Sequence, residues 1–268
     1  MNASTTGNAV KRTALVTGGS RGIGRGIVMA LAENGYDIAF SHWNDSKNAD
    51  CTAAEVKQSY QRKCAVFEGN LENEDEPARL VQGAIQALGH IDMLVNNAGV
   101  TIFRPVTEMD IESMNRLLHL DFRAPMLLIR EVGRHMIAKG IQGSIINITS
   151  TRSERAYAGD AVYGGVKAAL ARATGSVALD LAAHGIRVNC IAPGAIQTSA
   201  DREAYYCGFG AKIPLGRPGT PDDIGKAAVW LASEQASYMT GAVLRVDGGL
   251  ILPGMPETAD GPGWRTPE

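Results

Sequence analysis

Seven short apolar runs, each nearly continuous in Val, Ile, Leu and Ala, recur along the 268-residue chain: TALVTG, DIAFSHW, CAVFEG, IDMLVNNAG, GSIINITS, IRVNCIAPG and AVLRVDGG. Helix-like stretches lie between them, for example at 22–34, 49–62, 75–88, 111–139, 161–184 and 221–233. A strand wetted on one face would alternate apolar and polar residues; these runs do not, so both faces are covered. Strands that alternate with helices run parallel and are joined by right-handed crossovers. The chain therefore predicts an α/β fold, a doubly wound (Rossmann-type), mostly parallel seven-stranded sheet with helices on both faces. A single domain is expected over 11–252, since α/β sheets of this length often form one core, with a flexible segment at 1–10 and a tail at 253–268.

A formal net charge of -2 leaves no electrostatic footprint for nucleic acid or acidic lipid. The opening MNASTTGNAV is polar, and no apolar run approaches the ~18 residues that span a bilayer, so no membrane is expected and a cytoplasmic location is. Cys51, Cys64, Cys190 and Cys207 are too scattered for a metal motif or a disulfide framework and read as reduced thiols in packing positions; the few histidines show no ligand spacing, and no metal is expected.

A doubly wound sheet binds its ligand beyond the carboxyl ends of its strands, so the informative residues stand just after the apolar runs. The first such place is TALVTGGSRGIG, residues 13–24. Gly18 can take a backbone conformation closed to other residues, Gly22 and Gly24 let chain and helix approach a pyrophosphate, and the helix N-terminus offers unpaired N–H groups. A plain strand-to-helix turn could carry the same glycines; their place at the first strand of an alternating chain favours a nucleotide.

Four further motifs follow in order: NNAG at 96–99, Ser150 thirteen residues before Tyr163, YGGVK at 163–167, and PGAIQT at 193–198. With the TGxxxGxG spacing of the turn, they resemble the classical short-chain dehydrogenase/reductase family along roughly 11–252. The resemblance implies a nicotinamide dinucleotide held by Gly18, Ser20, Arg21, Gly22, Ile23 and Gly24, by His42 and Trp43 after the second strand, and by Asn70 and Leu71 after the third. Asn97, Ala98 and Gly99, then Tyr163 and Lys167, then Pro193, Gly194, Ile196 and Thr198 complete that set. It implies catalysis by Ser150, Tyr163, Lys167 and Asp121, substrate contacts at Ser150, Arg152, Tyr163 and Gly194, and assembly as a homotetramer or homodimer through long helices.

The residues themselves support that chemistry. Tyr163 and Lys167 are four apart on an expected helix and share a face, and a neighbouring ammonium favours the phenolate of a group that titrates near pH ~10 in water. Ser150 can hydrogen-bond a substrate oxygen while Tyr163 exchanges a proton with it; by resemblance, Lys167 also holds the nicotinamide ribose.

Two positions depart from the family pattern. Asp121 stands where the family has an Asn in a proton relay to the lysine; a carboxylate accepts but cannot donate, so the relay would be rewired. A charged Asp121 beside Lys167 would raise the proton affinity of the Lys167–Tyr163 pair and move the oxidative limb of the pH profile upward; alternatively it turns away or pairs with Arg123. Asn70 replaces an Asp near the adenine, and its amide oxygen can still accept a hydrogen bond.

For the cofactor, an acid at the end of the second strand would bind the ribose 2'-hydroxyl, but His42 stands there. Arg21 suits a 2'-phosphate, which makes NADP the first choice; Asp45, three residues on, could serve NAD instead. The C-terminal part from IPLGRPG onward looks most like the glucose 1-dehydrogenase group and implies a sugar or polyol substrate. Arg152, Glu154 and Arg155 suggest a negatively charged sugar derivative, unless they are solvated or pair with each other. An irregular stretch at 195–220, with Tyr205, Tyr206 and Cys207, is a candidate lid, whereas His184 and Trp230 have simpler core or surface roles. Reduction of 3-oxoacyl thioesters or another ketone, and a non-catalytic nucleotide sensor or scaffold, remain open alternatives.

Overall fold

The computed structural model describes residues 11–199, 208 and 210–253; the segment at 1–10, most of the tail, and Tyr205, Tyr206 and Cys207 of the candidate lid lie outside them. In chain order the elements are β1 (Arg12–Val16), α1 (Gly22–Glu33), β2 (Tyr36–His42), α2 (Ser46–Ser59), β3 (Cys64–Glu68), α3 (Glu76–Leu88), β4 (Met93–Asn96) and α4 (Ile111–Leu118). Then come a π-helical turn (His119–Arg123), α5 (Ala124–Lys139), β5 (Ser144–Ile148), α6 (Ala161–Ala182), β6 (Arg187–Pro193), α7 (Pro221–Ala232) and β7 (Val243–Val246). The strands form one sheet in the order β3-β2-β1-β4-β5-β6-β7. Every pairing is parallel, as a chain that returns through a helix after each strand requires.

The apolar runs fill both faces by simple alternation. Ala14, Val16, Ile38, Phe40, Met93, Val95, Ile146 and Ile148 pack against α1, α2 and α7. Their neighbours Leu15, Ala39, Leu94, Ile145 and Val188 pack against α3, α5 and α6 on the opposite face. The two edge strands, β3 and β7, are partly exposed along their length. No helix among the described residues is long and apolar enough to cross a membrane.

The single helix expected over 111–139 is divided. Pro125 has no N–H to give to the carbonyl of residue 121, and Ala124 N–H instead reaches His119 O, five residues back. The wider turn this creates carries Asp121, which is 1% exposed.

Helices α1 and α7 touch backbone to backbone through glycines. A Cβ on Gly26 would fall 2.5 Å from the Pro221 carbonyl oxygen, and one on Gly225 would fall 2.6 Å from that of Gly26. Neither neighbour is a flexible side chain that could move aside. Gly225→Ala is therefore expected to cost about 1–3 kcal/mol of stability, the usual toll of overpacking. Urea unfolding checks this, and a midpoint equal to that of the parent would show that the two helices can separate freely.

Candidate active site

The strand order turns around between β1 and β4, and the loops leaving these two strands part to form a crevice. Thr17 and Asn97 hold its base together. Thr17 Oγ1 accepts from Asn97 N and Ala98 N, both at 2.9 Å, and Asn97 Nδ2 donates to Thr17 O at 2.8 Å and Gly18 O at 3.1 Å. Gly18 and Gly22 have φ of +66° and +55°, so the turn runs through left-handed backbone before α1 starts. Gly24 must be a glycine for another reason, since a Cβ there would overlap the Gly18 carbonyl.

The crevice opens into two cavities of about 1070 and 540 Å³ that share Ile23, Asn97, Gly99, Val100 and Thr198. The larger takes in Gly18, Ser20, Arg21, Gly22, Gly24, His42, Trp43, Asn70, Leu71 and Ala98. The smaller takes in Asp121, Ser150, Arg152, Tyr163, Lys167, Pro193, Gly194 and Ile196. The cradle has the length, glycine approach and polar lining that a dinucleotide needs, and the residues expected to hold one stand along it. Asn70 is less free than expected, because its Oδ1 already accepts from Glu72 N at 3.0 Å. Asn97 serves chiefly as the brace described above.

At the inner end, Ser150 follows β5 in extended backbone and its Oγ accepts from Arg152 N at 3.2 Å. Tyr163 and Lys167 project from the first turns of α6, with the Lys167 Nζ 5.9 Å from the centre of the Tyr163 ring. Lys167 is buried; its Nζ donates to Ile148 O at 3.1 Å and lies 2.8 Å from Asp121 Oδ1. Burial pulls the lysine pKa down, but the Asp121 carboxylate outweighs it and holds the group above its ordinary value. Asp121 is itself anchored, with Oδ2 accepting from Val100 N at 3.0 Å. The partner considered for it from sequence, Arg123, is engaged elsewhere and donates to Glu72 O. Gly99 lies so close to the Asp121 carboxylate that no side chain fits there.

The charges after Ser150 are engaged within the chain. Arg152 Nη1 donates to Asp160 Oδ2 at 3.0 Å, and its guanidinium is clasped between Phe103 and Tyr157, 4.2 and 4.3 Å from the ring centres. Glu154 pairs with Arg245 at 3.1 Å, and Arg155 donates to Pro253 O at 2.7 Å. All three find partners within the chain, though not each other.

Several residues of the site escaped the sequence reading. Phe103 stands edge-on to Tyr163, with ring centres 5.4 Å apart, and lines the smaller cavity with Tyr157 and Leu250. Phe103 follows NNAG at the end of β4, so the rule that ligands sit beyond strand ends could have found it. Thr17, Asn147 and Thr174 are buried polar groups inside apolar runs or helices, a pattern that demands partners. Asn96 Nδ2 donates to Asn147 Oδ1 at 2.8 Å, and Asn147 Nδ2 to Thr174 Oγ1 at 2.9 Å, tying β4, β5 and α6 together under the site.

The stretch after β6 is pinned where it leaves and returns. Gly219 N donates to Ala195 O at 2.9 Å and Gln197 N to Gly219 O at 2.8 Å. His184 and Trp230 line neither cavity. Among the described residues no group of His, Cys, Asp and Glu gathers as a metal site would need.

Comparison with known proteins agrees with this geometry. A family model described as enoyl-(acyl carrier protein) reductase matches residues 18–251. The chain is 36% identical to the 3-oxoacyl-[acyl-carrier-protein] reductase FabG of Chlamydia pneumoniae, over 90% of this chain and 97% of that one. It is 32% identical to the L-rhamnose 1-dehydrogenase (NAD(P)(+)) of Sphingomonas sp. strain SKA58, over 90% and 96%. Among solved structures, the acetoin dehydrogenase YohF of Salmonella typhimurium superposes with a TM-score of 0.84 at 36% identity, covering 90% of this chain and 98% of that one. With Ser150, Tyr163 and Lys167 gathered at the end of a glycine-lined crevice, the chain belongs to the short-chain dehydrogenase/reductase family of NAD(P)-dependent oxidoreductases.

Proposed function

We propose that the protein interconverts a carbinol and a carbonyl on a small, uncharged, hydroxyl-bearing substrate, with a sugar or polyol as the leading class. The observation that carries this reading is the smaller cavity. It presents Ser150 and Tyr163 beneath the Phe103 and Tyr157 rings, and the cation on its wall, Arg152, is already matched by Asp160. A paired guanidinium has no net charge to offer a carboxylate or phosphate, but its remaining N–H groups can donate to hydroxyls. The sugar dehydrogenase and the acetoin dehydrogenase among the similar proteins act, by name, on neutral molecules of this kind.

When bound, a nicotinamide dinucleotide supplies or accepts the hydride. The chain's own residues manage the proton and the oxygen. In the oxidative direction Ser150 Oγ holds the substrate oxygen while the Tyr163 phenolate takes the hydroxyl proton; in reduction Tyr163 returns it to the carbonyl oxygen. Lys167, fixed by Ile148 O and the Asp121 carboxylate, keeps a positive charge beside the phenol, and its ammonium hydrogens not bound to Ile148 O can donate toward a ribose. For cofactor choice, Arg21 and the lack of a carboxylate at His42 favour NADP, while Asp45 favours NAD.

The family model's name and the reductase among the relatives give a second reading, reduction of a 3-oxoacyl thioester. Assembly into a dimer or tetramer is part of the proposal. It is supported by the outer edge of β7, where no further strand pairs among the described residues, and by exposed Val243, Tyr238 and Leu179. Light scattering on the intact protein is expected to give a multiple of the chain mass; a monomer would count against it.

Three further outcomes test the proposal. On a panel of aldoses, polyols, hydroxyketones and acyl thioesters followed by nicotinamide absorbance, turnover should be highest with a neutral hydroxyl-bearing compound; a preference for thioesters or sugar acids would replace the leading reading. Tyr163→Phe should lose about 100-fold or more in kcat while still binding the dinucleotide, and binding without turnover by the parent on every substrate would revive a sensor role. Asp121→Asn removes the carboxylate that opposes further negative charge beside Lys167, so the base should form at lower pH. The alkaline-rising limb of oxidative kcat/KM is expected to move down by about one pH unit; an unmoved or upward-shifted limb would contradict the coupling.

A further inference from the structure

At the end of the sheet opposite the crevice, Arg12, Tyr36, Met93, Ser144 and Arg187 are the first residues of β1, β2, β4, β5 and β6. The parallel register sets all five on one face of the sheet, where they line a cavity of about 740 Å³. Its other wall is the end of α7 and the chain that follows, with Glu234 and Met239. This cavity shares no residue with the two that open from the crevice.

Two of the five carry charges that lack a counter-ion in contact. Arg12 lies over the Tyr36 ring, 4.6 Å from its centre, and donates to Asn34 O at 3.0 Å. Arg187 Nη1 donates to Met239 O at 3.4 Å. Among the described residues no carboxylate oxygen lies within 4 Å of either guanidinium. Asp92, on the same cavity wall, is engaged elsewhere, with Oδ2 accepting from Thr13 N at 2.7 Å and lying 3.0 Å from His90 Nε2. Glu234 acts on Arg187 only from a distance and is exposed, so salt screens it.

Burial therefore pulls the Arg187 pKa down by more than Glu234 and Tyr36 raise it, although a guanidinium keeps its charge at neutral pH. Each backbone carbonyl takes one bond from a fork of five N–H donors and brings no full charge to offset the cation. Burial also holds the Tyr36 phenol above its ordinary pKa against both arginines, so its hydroxyl remains a donor. Ser144 Oγ is buried without a partner.

We propose that this cavity is a second ligand site, separate from the crevice, which takes a small phosphate monoester. Its dianion is met by the guanidinium groups of Arg12 and Arg187, and its apolar body lies against Met93 and Met239. Two unmatched cations favour a dianion over a single carboxylate, and guanidinium forks fit phosphate oxygens. A ligand held there joins the starts of β1 and β6 to the chain after α7, and so favours the folded state.

Calorimetric titration of the intact protein with phenyl phosphate at low salt tests the assignment, with ADP-ribose present in excess to occupy the crevice. One phenyl phosphate should bind per chain, and phenylacetate, with its single charge, several-fold more weakly. Arg187→Gln should weaken phenyl phosphate about tenfold or more, the worth of one hydrogen bond between charged groups, and Arg12→Gln several-fold. Arg187→Lys keeps the charge and the stem; it should fall between Arg187→Gln and the parent, and it carries the test if Arg187→Gln does not fold. None of these substitutions should change the affinity for ADP-ribose.

Phenyl phosphate that binds the parent and the arginine variants alike is an adventitious anion and overturns the site. A parent that does not bind it, or that binds phenylacetate as tightly, overturns it as well. Binding that disappears when ADP-ribose is added belongs to the crevice, which removes the second site and leaves the dinucleotide reading standing.

Discussion

The hydrogen bonds between Thr17 and the backbone of Asn97 and Ala98 hold the site together where the sheet changes direction. Strands β1 and β4 are neighbours, but the chain leaves them toward opposite ends of the sheet. Without a brace, the loops that follow would be free to splay and the crevice would have no fixed width. The Asn97 amide completes the brace by binding the carbonyls of Thr17 and Gly18, so the curvature of the glycine turn is set partly from the far side of the crevice. The polar chain from Asn96 through Asn147 to Thr174 extends the same restraint to the helix that carries Tyr163 and Lys167. In this way the glycine turn and the Tyr163–Lys167 pair, far apart in sequence, share one rigid floor.

The Lys167–Asp121 pair is a different kind of restraint. Both groups are buried, and stripping one partner from such a pair typically costs about 3–5 kcal/mol. A well-packed apolar pair could be at least as stable, so stability alone does not account for a charge here. What the pair provides is a lysine that stays protonated despite its burial, bonded to Ile148 O and 2.8 Å from the Asp121 carboxylate. The π-helical turn is part of the arrangement, because it places Asp121 beneath Gly99 and within reach of Val100 N.

Much of this was legible in the sequence. The strands were, because runs without polar alternation can only be covered on both faces, and all seven lie where the runs do. The ends of the crevice were too, since glycines after β1 and Ser, Tyr and Lys at family spacing leave few places to go. The rest depends on where loops travel. The path of Asp45 turns on a left-handed Asn44, a choice that no local pattern announces. Arg152 looked like a free cation because its partner Asp160 and its flanking rings Phe103 and Tyr157 come from a turn and a neighbouring loop whose closeness only packing decides. The break in the helix at 119–123 did have a signal in Pro125, but a proline near a helix start is ordinary, and only an unbroken reading of 111–139 made it significant.

The glycine contact between α1 and α7 bears on how the molecule is made. The glycine turn lies in the first tenth of the chain, yet the helix that leads away from it is seated against one that begins at Pro221. During synthesis the N-terminal strands can pair and α1 can form, but α1 keeps one apolar face uncovered until α7 has emerged. The crevice is thus completed late, once the chain after β6 has returned to α1, and a chain truncated before α7 would expose the seat of that helix to every other unfinished chain around it.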